Sequence, residues 1–187
     1  MRLNNEKKPA EADLVNSILQ GNTAAFGAII KNTEGLVTQI VVRMISNPED
    51  RKDIIQEVYF KAYRSLPDFS FRSKLSTWIG HIAYNTCVNC LEKKKLVLRE
   101  DLEEGLAGDE PEEGLFRKAL SVILSAEIGK LTPLYRTMIV LYHQEEMSYA
   151  DMAQVMDLPE GTVKSYLSRA RQMLKTRILA QYKKEEL

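Results

Sequence analysis

The chain predicts an all-α protein of two small helical domains joined by a flexible acidic linker. Three observations carry that expectation. Apolar residues recur at three- and four-residue intervals on both flanks, the one-sided stripe of packed helices. No stretch alternates apolar and polar residues long enough to make a strand. Acidic residues, glycine and proline collect in one segment near the middle.

The first flank divides into helices at its own punctuation. Between Asp13 and Ile30 the residues Leu14, Val15, Ile18, Leu19, Phe26, Ile29 and Ile30 keep helical spacing. Gly21-Asn22 marks a turn within that stretch, and Thr23 is the expected cap. Helical period continues from Leu36 to Ile45 and stops at Asn47-Pro48. Pro48 suits the first turn of the next helix, because its fixed φ is helical and its missing N–H is not needed there. That helix runs to Leu66 and ends at Pro67-Asp68. A loop from Phe69 to Ser76 follows, and a further helix from Ser76 or Thr77 runs into Glu92-Lys93-Lys94-Lys95.

The second flank opens with a capping box. Ser148 and Asp151 stand three apart before the apolar residues Met152, Val155 and Met156. A break at 157–161 precedes a second helix starting around Gly161-Thr162. Its inward side is Val163, Leu167, Ala170, Leu174 and Ile178. Its outward side carries Lys164, Ser165, Ser168, Arg169, Arg171, Gln172 and Lys175. A short helix, a tight turn and a longer helix with a polar, basic outer face is the helix-turn-helix layout. In that layout the N-terminal part of the second helix enters the major groove, so Thr162, Lys164, Ser165, Ser168 and Arg169 are the candidates to face bases. Periodicity alone leaves an ordinary amphipathic hairpin with a solvated basic face equally open.

Composition bounds the function classes. The chain has 187 residues, 26 Lys+Arg against 26 Asp+Glu, and 44% apolar residues, which fits a soluble globular protein. The zero net charge hides a partition of +4 over residues 1–95, −7 over 96–116 and +3 over 117–187. Like charges repel, and Gly105, Gly108, Pro111 and Gly114 break regular structure, so 96–116 reads as the linker. The longest apolar run falls far short of a membrane helix, and no apolar stretch follows the first charged residues. A cytoplasmic protein with no membrane insertion is expected. The two cysteines, Cys87 and Cys90, form a Cys-x-x-Cys pair with His81 upstream, but zinc takes about four ligands and no further cysteine exists. They are read as small, partly buried residues, and no metal and no cofactor are expected. No phosphate-binding glycine loop or nucleophile–base pairing stands in the motif blocks, so the chain is not read as an enzyme and no catalytic residue is assigned.

Leu131-Thr132-Pro133-Leu134-Tyr135-Arg136, Ser148 to Ala153, Gly161-Thr162-Val163-Lys164-Ser165 and Leu167 to Arg171 together resemble region 4 of a bacterial sigma factor. That half alone also looks like the output domain of many response regulators. Asp53 to Tyr63 resembles region 2.2, and Ser76-Thr77-Trp78-Ile79-Gly80-His81-Ile82-Ala83-Tyr84-Asn85 resembles regions 2.3 and 2.4. The order and spacing of these blocks resemble the extracytoplasmic-function (ECF) subfamily of sigma-70 factors, over about residues 11–95 and 117–182.

The resemblance implies a role for each block. Region 2 would occupy 11–95, the acidic linker 96–116 and region 4 residues 117–187. Asp53, Gln56 and Glu57 match the surface that grips the clamp helices of the largest subunit of core RNA polymerase. Phe71, Arg72, Ser73 and Lys74 in the loop, with Trp78, Asn85 and Asn89 on the following helix, match the positions that open and hold the minus-10 element of promoter DNA. Thr162, Lys164, Ser165, Ser168 and Arg169 match the minus-35 reader. Trp78 fits either a stacking face for DNA or a core residue that supports the loop. Asn89 stands where many members carry Asp, and Tyr166 where Arg is common. The resemblance also implies an anti-sigma factor as a partner. A stand-alone helix-turn-helix regulator using only the second half is the alternative, and a protein-interaction module the third reading.

Overall fold

A computed structural model describes residues 7–97 and 123–185. The acidic linker expected at 96–116 lies, from residue 98 onward, outside the described residues. Eight α-helices and two single 3₁₀ turns make up the described fold, with no strand among the described residues.

Helix α1 spans Lys7–Leu19, and α2 spans Phe26–Met44 after a 3₁₀ turn at Thr23–Ala25. The expected Thr23 cap does not form: Thr23 lies inside the 3₁₀ turn, neither that turn nor α2 has a side-chain cap, and Asn22 Nδ2 donates to Ser17 Oγ at 3.2 Å. Gly21, at φ +104°, takes the left-handed turn that a side chain would resist. Helix α3, Pro48–Ser65, starts as its sequence predicts: Asn47 Oδ1 accepts the Glu49 N–H at 3.0 Å, and Pro48 follows in the first turn. Arg51 folds back to donate to the Ile45 and Ser46 carbonyls, at 2.9 and 3.2 Å, at the C-terminal end of α2. Helix α4 spans Leu75–Val97, and its first N–H is received by Glu11 of α1 at 3.3 Å. A carboxylate at a helix N-terminus satisfies an orphan donor and opposes the helix dipole.

In the second half, α5 covers the described helical residues 123–129, α6 spans Pro133–His143, α7 spans Tyr149–Met156 and α8 spans Glu160–Glu185. The Ser148 capping box forms as expected, with the Asp151 N–H donating to Ser148 Oγ at 3.1 Å. Asp157 ends α7 in the left-handed conformation, at φ 52°, and the Leu158 N–H returns to the Ala153 carbonyl at 3.0 Å. Val163, Leu167, Ala170 and Leu174 are buried as their spacing predicts.

One hydrophobic core runs through both halves. Ile40, Val41, Val58, Ile79 and Ala83 of the first half join Met138, Leu141, Met152, Val155 and Leu167 of the second in one buried cluster. Helix α7 packs on α4, and α6 packs on α2. Gly80 makes the close approach possible: a Cβ there would meet Val155 Cγ2 at 3.2 Å and Leu36 Cδ2 at 3.4 Å.

Candidate nucleic-acid and protein interfaces

Helix α3 buries one face and presents another. Ile54, Val58 and Ala62 enter the core, which leaves Asp53, Gln56 and Glu57 exposed on the opposite side. Glu57 pairs with Lys61 at 2.7 Å, one turn on. The same face carries a residue that the motif reading missed, Phe60, which is 61% exposed. The Arg64 guanidinium lies 5.6 Å from its ring centre. Its place three and four residues after Glu57 and Gln56 was the available signal, because those spacings share a helix face.

The loop before α4 ends in a row of three rings. Phe69 is buried and touches Phe71 at 4.8 Å and Trp78 at 5.0 Å between ring centres. Phe71 is exposed and held at φ +55°, a left-handed conformation costly for an aromatic residue. Trp78 is half-buried, with its ring packed on Phe69. Arg72, Lys74 and Asn89 are exposed, and Ser73 is half-buried.

One of these candidates, Lys74, is held by the other half of the chain, as is Thr77 beside it. Lys74 Nζ donates to Asp151 Oδ2 at 3.1 Å, and the Thr77 hydroxyl donates to Asp151 Oδ1 at 3.3 Å. Burial pushes the Asp151 carboxyl up, but hydrogen bonds from Ser148, Lys74 and Thr77 and the Lys74 charge together hold it below its ordinary value. His81 Nδ1 lies 3.3 Å from the Val155 carbonyl, which can only accept, so Nδ1 carries the proton. Nε2 then accepts from Asn85 Nδ2 at 3.0 Å.

Helix α8 presents Lys164, Ser165, Ser168 and Arg169 to solvent, with Thr162 half-buried at its start. Each cation rests on an aromatic ring. Lys164 Nζ lies 5.4 Å from the Tyr149 ring centre and pairs with Glu160 at 2.8 Å, which raises its pKa. The Arg169 guanidinium lies 5.9 Å from the Tyr166 ring centre, and Tyr166 is set edge-on against Tyr135. The tyrosine at 166 therefore seats Arg169. Arg171, expected to point outward, instead turns back over the Tyr142 ring at 4.6 Å and donates to His143 Nε2 at 3.3 Å.

The cysteine pair packs as two small residues of α4. Cys87 is buried, Cys90 half-buried, and burial pushes the Cys87 thiol up to about 12.

The Sigma-70 region 2 family model matches residues 29–96, and the Sigma-70, region 4 model matches residues 121–174. The ECF RNA polymerase sigma-E factor of Haemophilus influenzae is 34% identical over 177 residues, covering 88% of this chain and 93% of that protein. The chain belongs to the ECF subfamily of sigma-70 factors. The ECF RNA polymerase sigma factor SigW of Bacillus subtilis is 31% identical over 176 residues, 88% of this chain and 94% of that protein. Sigma region 2 therefore takes in most of α2 with α3 and α4, and sigma region 4 takes in α5, α6, α7 and the first part of α8. A chain with both regions does not favour the stand-alone regulator. Among solved structures, the Bartonella quintana sigma factor RpoE, in complex with the anti-sigma factor NepR, matches with a TM-score of 0.66 at 22% identity, over 81% of this chain and 94% of that one. CnrH, in complex with the cytosolic domain of CnrY, matches at 0.63 and 22%, over 89% and 96%. Both share the helical fold. No helix among the described residues is long and apolar enough to cross a membrane.

Proposed function

We propose that this sigma factor binds core RNA polymerase through α3, opens the minus-10 element with the Phe71–Lys74 loop and α4, and reads the minus-35 element with α8. The supporting observation is the presence of two exposed faces of opposite chemistry on one ECF chain. Asp53, Gln56, Glu57 and Phe60 form an acidic and aromatic stripe on α3, while Lys164, Ser165, Ser168 and Arg169 form a basic one on α8. The first suits a basic protein partner with an apolar centre and a polar rim. The second suits phosphates and the hydrogen-bonding edges of bases.

Region 2 acts on single-stranded DNA in this reading. Phe71 offers a stacking face at the outer end of the ring row, Arg72 and Lys74 attract the backbone, and Asn85 and Asn89 offer amides to base edges. The protein works in the cytoplasm with an inhibitory anti-sigma partner, and catalysis belongs to the polymerase. Segment boundaries follow the charge partition, with 11–95 and 117–187 as the working parts and 96–116 as the tether.

The test is co-elution with core polymerase on a sizing column, with the Gln56→Ala/Glu57→Ala double variant alongside, followed by run-off transcription. Wild type is expected to co-elute and to direct initiation, and the double variant to lose the complex. Duplex promoter binding without polymerase, indifferent to both substitutions, would return the reading to a stand-alone regulator.

A further inference from the structure

The outer face of α8 is flanked by two cations, and the two are held in different ways. Successive residues of a helix turn by about 100°, so Lys164, Ser168, Ser165 and Arg169 follow one another round a single arc in that order. Lys164 stands at one edge of the arc and Arg169 near the other, with Tyr166 just beyond it. Lys164 rests on Tyr149, a ring from α7, 5.4 Å from its centre. Arg169 rests on Tyr166, three residues earlier on α8 itself. Its guanidinium lies 5.9 Å from the ring centre, within the ~6 Å over which a ring face attracts a cation. The ring is not free to follow the arginine. Tyr166 is half-buried, stands edge-on to Tyr135 of α6 at 6.0 Å and 83°, and packs with it against the core. A fixed ring beneath an exposed guanidinium sets where that guanidinium lies.

We propose that Tyr166 is a specificity-determining positioning residue: by holding Arg169 over its ring, it fits α8 to a guanine in the minus-35 element. The inference rests on the initiation reading above and names the base that reading leaves open. An ammonium such as that of Lys164 is a point charge and serves an acceptor from many directions. A guanidinium is planar, and two of its N–H groups match the O6 and N7 acceptors that guanine places side by side in the major groove. That match needs the plane at one angle. An arginine without a seat has several torsions to arrange before it can bond guanine. Against a wrong base it swings aside to a phosphate, so the wrong base costs little more than the right one. A seated arginine meets the wrong base with its donors desolvated and unpaired, which is the larger source of discrimination.

The identity of residue 166 bears on the same point. The arginine common there in the family puts a second cation one turn before Arg169, where like charges repel. Tyrosine gives up a charge for the DNA backbone and provides an uncharged face in its place. Because Tyr166 and Arg169 belong to one helix, the seat moves with the reader when α8 enters the groove. Ser165 and Ser168, beside Arg169 on the arc, are exposed and short, so they do not hold the helix away from the bases.

The test reads base choice. The full chain with core polymerase is assayed by run-off transcription on promoters carrying each base at every minus-35 position, beside thermal melts of each variant. Arg169→Ala first marks the guanine, as the position where the preference over other bases collapses. There, Tyr166→Leu, which keeps apolar bulk without an aromatic face, should lose about three- to fivefold of the preference, with the other positions unchanged. Tyr166→Phe keeps the face and should restore it. Tyr166→Arg should lose it as well, while the promoter complex becomes more sensitive to salt through the added cation. Tyr166→Leu combined with Arg169→Ala should be no worse than Arg169→Ala alone, since the ring acts through the arginine. A role confined to folding would lower initiation at every position together and add to the arginine's effect in the double variant. That additive result overturns the proposal, and so does a Tyr166→Leu preference within about 1.5-fold of wild type at the marked guanine; both leave Arg169 as a reader. If Arg169→Ala changes no guanine preference, the reader assignment and this proposal fall together. If wild type does not initiate with core polymerase, the initiation reading falls and takes both with it. Should Tyr166→Leu not fold, Tyr135→Leu, which removes the ring behind the seat, decides: loss of preference at the same guanine supports the proposal, and an unchanged preference overturns it.

Discussion

Phe60 provides the sharpest test of the polymerase face, because its contribution to folding and its contribution to binding separate cleanly. The side chain is 61% exposed in the free protein. Of the roughly 200 Å² that a phenylalanine can bury, about 120 Å² is therefore still available to a partner. At about 25 cal/mol per Å², full coverage stabilises the complex by ~3 kcal/mol. Alanine retains part of that burial, so Phe60→Ala should weaken polymerase binding by about 2 kcal/mol, or roughly 30-fold in Kd. The fold loses little, since most of the ring was never removed from water. The ~80 Å² already buried in the fold, less what alanine keeps, should lower the melting temperature by about 2–5 °C. Phe60→Leu keeps most of the apolar area and should recover most of the affinity. The assay is fluorescence titration of labelled protein with core polymerase, run beside thermal melts of each variant. A Kd within twofold of wild type would remove Phe60 from the interface. A large melting shift would show that the ring supports the fold and not the complex.

Four other outcomes are expected. Arg169→Ala should relax the choice of minus-35 base by about 1–3 kcal/mol for each base edge it reads, and Arg169→Lys should not restore it, because a lysine cannot reproduce the planar fork on Tyr166; run-off transcription over a minus-35 substitution set reads both, and an unchanged preference counts against the assignment. Ser148→Ala removes the cap bond to the Asp151 N–H and should cost about 1 kcal/mol, or a fall of about 2–4 °C in melting temperature, most of which Ser148→Asp should return. Asp151 has its carboxyl held below the ordinary value, so its stabilisation is complete above the unfolded pKa of ~4 and is lost as pH falls through the folded value. The melting difference between wild type and Asp151→Asn should accordingly stay constant above pH ~5 and shrink in stronger acid, and a difference that vanishes near neutrality would refute the paired carboxylate. For the cysteines, a thiol reagent at mildly alkaline pH should modify Cys90 alone in the folded protein, because Cys87 is buried with its thiol pushed up to about 12; rapid reaction of both would contradict the packing.

Much of the fold is legible in the sequence because its signals are local. The Ser148 box, the Asn47-Pro48 start of α3 and the inward row Val163–Leu167–Ala170–Leu174 each depend on neighbours within one or two turns, where sequence distance and spatial distance agree. Thr23 does not serve as a cap because the chain enters α2 through a 3₁₀ turn that takes Thr23 inside it, which moves the start of α2 on to Phe26. Arg171 does not point outward because periodicity places a Cβ but not the end of a long side chain, which here turns back over Tyr142. Phe60 and the aromatic seats under Lys164 and Arg169 are present in the sequence, but only as rings among other rings. Their role needs the knowledge of which rings the core leaves outside.

The packing of one half on the other is beyond sequence reasoning for a different reason. An apolar stripe declares that a helix face is covered, not by what. Val155 reads as an inward residue of a helix-turn-helix whether it packs on α6, on α8 or on α4. Gly80, the sixth residue of a 23-residue helix, reads as a loss of helix propensity of about 1 kcal/mol with no visible return. Only the pair explains either residue: the glycine is tolerated in α4 because a helix about 75 positions later, with Val155 in its last turn, closes onto it. The same holds for Asp151, whose local reading as a cap is correct and incomplete. A carboxylate already ordered by the hydroxyl of the Ser148 cap can hold Lys74 and Thr77 with its remaining lone pairs, at little further cost in ordering its side chain. A group already fixed by its own helix needs little further ordering to hold a lysine from the other half of the chain. The register of the seam is thus fixed by Gly80, Val155 and Asp151, each of which finds its partner in the other half of the chain.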